Sequence, residues 1–485
     1  MARSYRVAPY DRTKVPTARQ LHVMNRLGTG FSPAAFAQVR RAGGEMAWFE
    51  QQLDPGSVRE NKLAEQLESW FPRLQDSPAE TYRNDRNGVH QAWEYARDLS
   101  NLSLLRRIHS NRALLETMTE LWSNHLHVEA GHFPGFTQRA AYDATIRRHA
   151  LGRFDDLLVA ATLHPAMLLY LDNWRSTRKA PNENHGRELL ELHTVGVGSY
   201  TETMVKQAAR ILSGHTVKAD TWTAYFDPDK HATGPVSLLG FTAANALGDN
   251  AGLAEDFLRF LARHPDTART VARRLAVRFV SDDPPQRLVD RVAAAYLASG
   301  TDIRATLRAL VDSDEFWASA GQKVRTPADD LVATHRVRRV KAKAPTGTDS
   351  YANALSWTLH STLVFQWPRP DGPPDRAGAW GSTSRMLNSW QTHWNVAGGW
   401  WPSNQARYPR PAAFLPQKRI RFDRLVDHLS RVVLGRRSTS RLLQAACEAL
   451  DVNPREKVTR NHPVMGWQFP RLLAVLLDSP AHMSR

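Results

Sequence analysis

Apolar residues recur at intervals of three and four along most of this chain, and that spacing limits the fold more than any other feature. In the segment ETMVKQAARILS, Val205, Ala208, Ala209 and Leu212 form one apolar stripe of a helix. The alternation of apolar and polar residues that is typical of a half-buried strand hardly occurs. The sequence therefore predicts a mainly α protein, built as a multi-helix globular bundle with long ordered loops.

Helix-capping residues mark several of the predicted ends. Ser32 followed by Pro33 predicts the start of a helix that ends before Gly43. Thr201 predicts the start of another, the helix of the stripe described above. Residues 215–240 interrupt the helical pattern with aromatic residues, threonines, aspartates and prolines. This composition predicts a hairpin or a long ordered loop.

The chain is long enough for more than one lobe, because it has 485 residues of which 42% are hydrophobic. The segment APTGTDS at 344–350 is the best candidate for a hinge between lobes. We therefore expect an N-terminal helical lobe at 1–343 and a basic, helical C-terminal lobe at 351–485.

Positive charge is concentrated in parts of the sequence. The net charge is +16, and residues 407–441 hold ten Lys and Arg against Asp423 and Asp427. A second basic cluster, RVRRVKAK, occupies 336–343. Such clusters favour an anionic partner. The arginines at 269, 273, 274 and 278 lie on one predicted helix, where a solvated basic face is the simpler interpretation.

Four tryptophans lie just before the basic C-terminal region, at 390, 394, 400 and 401. Tryptophans are most often part of a protein core. Beside arginines they can also stack on single-stranded nucleic acid or on a sugar. The core is the favoured interpretation, and nucleic acid remains a candidate partner.

The sequence also bears on the compartment. The longest mainly apolar run starts at Leu157 and is interrupted by His164 and Pro165, so no transmembrane helix is predicted. The first residues lack the apolar core of a secretory signal, which makes the cytoplasm the default expectation. Cys447 is the single cysteine, and its apolar helical setting predicts a buried, inert thiol.

The segment NENHGRELLELHT, from Asn182 to Thr194, is the strongest candidate for a functional site. On a regular helix Glu188 and Glu191 share one face, while His193 lies about 140° from Glu188. With His125 from another helix, the two carboxylates could bind Fe, Mn or Zn. The alternatives are a salt-bridged acidic face and, for His193, a core histidine bonded to a carbonyl.

This segment resembles the hallmark of the bacterial domain-of-unknown-function family 1800 (DUF1800). NRLGTGFSP, LWSNHLHV, FLARHPDTARTVARRLAVRFVSDDPP, PRPDGPP and WQFPRLLAVLLDSP resemble that family's patterns in the same order. The matching residues are Asn182, Glu183, Asn184, Arg187, Glu188, Glu191, His193, Asn124, His125 and His264. His185 departs from the pattern, since relatives usually have an aromatic residue there. The resemblance implies a mainly α-helical fold and no known activity.

The resemblance also implies a companion. Proteins of this type look as though they work with an alkaline-phosphatase-like family, DUF1501, whose members tend to carry a twin-arginine export signal. Export together with such a partner is the alternative to the cytoplasm. Two functions therefore stand side by side. The first is a helical partner or scaffold that docks an enzyme or an anionic polymer, and the second is a metal-dependent hydrolase or oxidase that uses Glu188, Glu191 and His125.

Overall fold

The computed structural model describes residues 5–360 and 363–485, and within these residues the fold is mainly α, as predicted. The first helices are α1 (Ala18–Arg26), α2 (Pro33–Ala42), α3 (Glu45–Leu53), α4 (Pro78–Arg86), α5 (Ala92–His109), α6 (Ala113–His125), α7 (Arg139–His149), α8 (Phe154–Thr162) and α9 (Pro165–Tyr170). Short 3-10 helices lie at Ala64–Trp70, Pro72–Gln75, Gly135–Gln138 and Asn173–Arg175.

The middle of the chain contains α10 (Glu183–Glu188), a π-helical segment at Leu189–His193, and α11 (Glu202–Leu212). Two antiparallel hairpins follow, β1 (His215–Val217) with β2 (Ala224–Phe226) and β3 (Val236–Leu238) with β4 (Phe241–Ala243). The prediction of a hairpin or ordered loop at 215–240 is therefore confirmed as a hairpin. The next helices are α12 (Gly252–Ala262), α13 (Pro265–Phe279), α14 (Gln286–Ala298), α15 (Ile303–Val311), α16 (Asp314–Ala318) and α17 (Pro327–Arg338).

The remaining elements are helices and short strands that pair as two-stranded ribbons. They are β5 (Lys341–Ala342), α18 (Tyr351–Ala354), α19 (Thr383–Gly398), β6 (Ala406–Arg407), β7 (Arg419–Arg421), α20 (Phe422–Val433), α21 (Ser440–Leu450), β8 (Lys457–Thr459), α22 (Phe469–Leu477) and α23 (Pro480–Met483). The 3-10 helices here are Ser356–Leu359, Ala377–Ala379, Pro411–Phe414 and Pro463–Met465. β5 pairs with β6 and β7 pairs with β8, both antiparallel.

The predicted helix ends are confirmed by their hydrogen bonds. The Ser32 hydroxyl accepts a bond from the Ala35 amide at 3.1 Å, which satisfies one free donor of the first turn of α2. Gly43 follows α2 at a φ of 97°, a left-handed conformation that favours glycine. Thr201 caps α11 through the Met204 amide. The ends of these helices are therefore set by neighbouring residues and do not depend on tertiary packing.

Packing joins the two predicted lobes within one core. A single cluster of buried apolar residues extends from Tyr10 to Leu477 and includes side chains from both sides of 344–350, such as Val337 and Ala397. The division at 343 and 351 stays a prediction. Cys447 is fully buried, as predicted. Among the described helices, none combines the length and the apolar character that a membrane span requires.

The prediction of a solvated arginine face on α13 is wrong at its C-terminal end. Arg278 is buried and donates to Asp329 at 3.1 Å and to Glu120 at 3.0 Å. Arg107 and Arg485 approach the same Asp329 carboxylate at 2.6 and 2.9 Å. A buried charge needs such partners, because desolvation is otherwise costly. Part of the positive charge therefore serves to join helices inside the protein.

Candidate functional site

The motif helix, which we define as α10 with the π-helical segment after it, departs from the regular geometry assumed in the sequence analysis. From Leu189 to His193 the backbone follows a π-helix. Such wider turns are rare and often occur at functional sites. The predicted 140° angle between Glu188 and His193 is therefore wrong, because it requires an α-helix throughout.

Several polar residues of the motif hold this helix in place. The Asn182 side chain caps α10 by accepting from the Asn184 amide at 2.8 Å and the His185 amide at 3.3 Å. Arg187 forms two bonds of 2.6 Å with the Glu202 carboxylate at the start of α11. Glu183 is exposed in the first turn, where the helix dipole favours an acid. These contacts give Asn182 and Arg187 a structural role at the start of the motif helix.

The two carboxylates of the predicted metal site lie at the protein surface. Glu188 is half-buried, and burial together with the negative charge of Glu191 raises its pKa. Glu191 accepts a short hydrogen bond from the Tyr200 hydroxyl. The pair therefore carries mutual repulsion that a cation or a proton would relieve.

The histidines of the motif lie deeper. His125 Nε2 is 3.1 Å from the backbone oxygen of His193, and burial holds the pKa of His125 well below its usual value. The ring nitrogens of His193 and of His185 are buried and have no hydrogen-bond partner among the described residues. His193 is thus a core histidine, but the interpretation that its ring bonds to a carbonyl is wrong, because neither ring nitrogen makes a hydrogen bond within the described residues. A metal site of Glu188, Glu191 and His125 stays a prediction.

The two remaining motif residues lie away from this helix. Asn124, at the end of α6, lines a cavity of about 70 Å³ together with Arg274 and Arg278. His264 caps α13, since its Nδ1 accepts from the Asp266 amide at 3.2 Å.

A different set of side chains has the composition of a metal-binding group. Among the described residues, Asp330, His393 and His482 place one ligand atom each within 4.8 Å of one another. All three are buried, and they come from α17, α19 and α23. Sequence reasoning missed them, because positions 330, 393 and 482 share no local spacing.

Hydrogen bonds connect this set, which we call the Asp330 cluster, to its surroundings. His393 Nε2 lies 3.1 Å from Asp330 Oδ1, and His393 Nδ1 lies 2.7 Å from Asp478 Oδ1. His482 Nε2 lies 3.8 Å from Asp330 Oδ1 and 2.9 Å from the Thr334 hydroxyl. The imidazole of His393 is therefore held between two carboxylates.

The charges of the cluster follow from these contacts. Burial alone would lower the pKa of His393, but the charges and hydrogen bonds of Asp330 and Asp478 together outweigh it and raise that pKa to about 9. Burial alone would raise the pKa of Asp330, but the charge of His393 holds it well below its usual value. Burial, followed by the charge of His393, lowers the pKa of His482 to about 3. The site thus holds one positive charge against carboxylates, with a neutral imidazole beside it.

The cluster is next to a surface cavity of about 140 Å³. Asp330 forms part of its lining, together with Thr358, Arg385, Asn388, Ser389 and Thr392. Arg385 Nη2 lies 3.6 Å from Asp330 Oδ2. A small polar or anionic molecule in this cavity would therefore meet an arginine and neutral hydrogen-bonding groups.

Helix α19, which supplies His393, has its polarity reversed. Up to Trp394 its buried side consists of Arg385, Ser389, Thr392 and His393, whereas Leu387, Trp390 and Trp394 are exposed; the last turn buries apolar residues in the usual way, at 396 and 397. Surface helices normally bury their apolar stripe. The outer side of α19 therefore exposes apolar side chains to solvent.

The exposed apolar residues continue into the loop after α19, and we call the whole set the tryptophan face. The exposed fractions are 55% for Leu387, 45% for Trp390, 38% for Trp394, 50% for Trp400 and 39% for Trp401. Trp394 and Trp400 pack edge to face at 5.0 Å, and Leu387 and Trp401 line a common groove of about 480 Å³. The interpretation of these tryptophans as core residues is therefore wrong.

Cations lie beyond the loop that carries Trp400 and Trp401. Lys341 is directly opposite Arg407 in the β5–β6 ribbon, and Lys343, two residues on, is also exposed. Like charges that face each other across a ribbon repel. An anionic surface placed here would remove that repulsion.

Comparison with known proteins gives a family and no characterised relative. A family model described as a protein of unknown function, DUF1800, matches residues 22–484. No curated protein and no solved structure matches the chain. The matched span includes the motif helix, the Asp330 cluster and the tryptophan face. Because the match covers nearly the whole sequence, the chain belongs to the DUF1800 family.

Proposed function

We propose that this protein is a docking partner that binds an acidic protein surface through the tryptophan face. The candidate partner is the alkaline-phosphatase-like companion of the DUF1501 type. The observation that carries the proposal is the reversed polarity of α19, which exposes Leu387, Trp390 and Trp394 and buries Arg385 and His393.

The composition of the tryptophan face supports a protein partner. Interfaces concentrate their binding energy in a few tryptophan, tyrosine and arginine side chains at the centre of the contact. Four tryptophans on one helix and the loop after it provide such a centre. An apolar surface of this kind is unfavourable in water unless a partner covers it.

Charge supports an acidic partner. The chain carries a net charge of +16, and Lys341, Lys343 and Arg407 are exposed near the tryptophan face. Cations at the rim of an interface raise the rate of association with an acidic protein, and salt reduces that effect. The tryptophan-rich centre of the contact then slows dissociation of the complex.

Binding to the proposed partner is tested directly with the purified companion protein of the DUF1501 type. We expect biolayer interferometry to detect binding of the two proteins. The double variant Trp390→Ser, Trp394→Ser should weaken the affinity at least about 100-fold, because each hot-spot tryptophan contributes roughly 2 kcal/mol to the free energy of binding. The matched control is Trp467→Ser, because Trp467 is 72% exposed and lies outside the face. The control should bind like the wild type.

A second variant tests the charges. Lys341→Glu with Arg407→Glu should slow association at low salt and leave the dissociation rate nearly unchanged. Absence of binding to the companion, or equal binding by the double tryptophan variant, overturns the proposal. Tryptophan-dependent binding of single-stranded DNA or RNA, with an affinity that falls steeply as salt rises, would identify nucleic acid as the partner instead.

The second candidate function is a metal-dependent hydrolase or oxidase that uses Glu188, Glu191 and His125. It is favoured by the π-helical turn of the motif and by the raised pKa of Glu188. The test is the content of Fe, Mn and Zn in the purified protein and in a Glu188→Gln, Glu191→Gln variant. Metal that is lost from a folded variant would support this function, and equal metal content in both proteins would rule this function out.

A further inference from the structure

The Asp330 cluster brings two imidazoles and one carboxylate together inside the protein, away from the motif helix. Asp330, His393 and His482 come from three separate helices, and each side chain is at most 3% exposed. Polar side chains are buried in this way only when their partners compensate for the loss of water. Two imidazoles with one carboxylate form a ligand set that suits zinc and other borderline divalent metals.

We propose that Asp330, His393 and His482 form a binding site for a divalent cation of the zinc class. The ligand atoms are Asp330 Oδ1 and the Nε2 atoms of the two histidines. Oδ1 lies 3.1 Å from His393 Nε2 and 3.8 Å from His482 Nε2. Ligands about 2.0 to 2.1 Å from a tetrahedral ion lie about 3.3 Å from each other, so these separations need only small adjustments.

The surroundings of His393 orient it for this role. Its Nδ1 lies 2.7 Å from Asp478 Oδ1, so the Nδ1–H group donates to that carboxylate. When the ion binds, the Nε2 proton is released to solvent, and the Nε2 lone pair is then directed at the ion. Metal-bound histidines usually donate their other ring proton to a carboxylate or a carbonyl in this way. Asp478, which follows α22, is therefore a positioning residue for the site.

The other neighbours are compatible with an ion. The Thr334 hydroxyl that now contacts His482 Nε2 at 2.9 Å can rotate away when the nitrogen binds the metal. Arg385 Nη2 stays near the second oxygen of Asp330, at 3.6 Å, and holds the carboxylate in position. The carboxylates of Asp330 and Asp478 supply two negative charges that face the ion and Arg385.

The site has a route to solvent. Asp330 lines the cavity of about 140 Å³, so an ion can enter there and keep one position for water or for a small anion. Three protein ligands with one open position are typical of catalytic zinc sites, whereas structural zinc sites are closed by four protein ligands. The groove beside the tryptophan face shares Thr358, Asn388 and Thr392 with this cavity, which places the entrance next to that face.

The test uses the full chain, stripped with a chelator and then titrated with Zn²⁺ by isothermal calorimetry. We expect one ion per chain with submicromolar affinity, and a visible absorption spectrum of tetrahedral Co²⁺ when cobalt replaces zinc. Asp330→Asn and His482→Asn should each weaken zinc binding at least about 100-fold. Circular dichroism and thermal melting verify that the variants are folded.

Two further variants test the proposal if Asp330→Asn and His482→Asn do not fold. Asp478 is 35% exposed at its side chain, so Asp478→Asn disturbs the core little, and it should weaken binding about 10- to 100-fold. Asp283→Asn is the matched control, because this carboxylate is 93% exposed and lies outside both candidate sites, and it should bind zinc like the wild type. Absence of stoichiometric binding, or binding unaffected by Asp478→Asn and Asp330→Asn, overturns the proposal. Loss of binding only in a Glu188→Gln, Glu191→Gln variant would place the ion at the motif helix and overturn it as well.

Discussion

Substitution of His185 should make the stability of this protein less sensitive to acid. The His185 side chain is fully buried in the motif helix, and within the part of the chain that the structure describes neither ring nitrogen has a hydrogen-bond partner. Burial, followed by the charges of His193 and His215, lowers its pKa to about 3. The folded protein therefore keeps this imidazole neutral at a pH where the unfolded chain takes up a proton.

The size of the effect follows from the two pKa values. In the unfolded chain histidine has a pKa of about 6.5. The stability contributed by a neutral His185 is complete above that pH and is lost as the pH falls from about 6.5 toward about 3. At about pH 5.5, one unit below the unfolded value, the loss is about 1.4 kcal/mol relative to about pH 8.

Two variants separate this titration from packing. His185→Phe and His185→Gln both remove the titrating group, but they fill the site differently, and the larger ring can cost about 1 to 3 kcal/mol by overpacking at any pH. We expect both variants to lose about 1.4 kcal/mol less than the wild type between about pH 8 and about pH 5.5. The measurement is urea unfolding at both pH values, followed by circular dichroism. Parallel pH profiles for wild type and both variants would refute the reasoning.

Three other perturbations test the packing. Gly186→Ala should lower the free energy of unfolding by about 1 to 3 kcal/mol, as measured by thermal melting. The reason is that the added Cβ would lie 2.9 Å from the Ala209 amide nitrogen and from the Val205 backbone oxygen of α11. Glu116→Gln should cost about 3 kcal/mol, measured by urea unfolding, because it leaves Arg147 without the carboxylate that it now contacts at 2.5 and 2.6 Å. Cys447 should resist a thiol reagent in the native protein and react in denaturant, since its side chain is fully buried; equal rates would contradict the packing of α21.

Local features of the sequence predicted the helices well. Ser32 and Thr201 cap the helices that follow them, and the apolar stripe of α11 is buried as its spacing indicates. These features depend on neighbouring residues and on the 3.6-residue period alone. The fold class could therefore be predicted from the sequence.

The site depended on information that local spacing does not contain. The Asp330 cluster combines residues more than 60 positions apart, so only the packing of α17, α19 and α23 brings them together. The π-helical turn after Glu188 has no sequence rule that predicts it, and it changed the geometry expected for His193. The tryptophans of α19 have the composition of a core, and only the three-dimensional arrangement shows which side of the helix is exposed.

The most direct test of docking is oxidative footprinting of the tryptophans, with the protein alone and after mixing with the companion protein. We predict that Trp390 and Trp394 are oxidised in the isolated protein and protected in the complex, whereas Trp467 is oxidised equally in both. Unchanged oxidation of Trp390 and Trp394 after mixing would contradict the proposal that the tryptophan face is the docking surface.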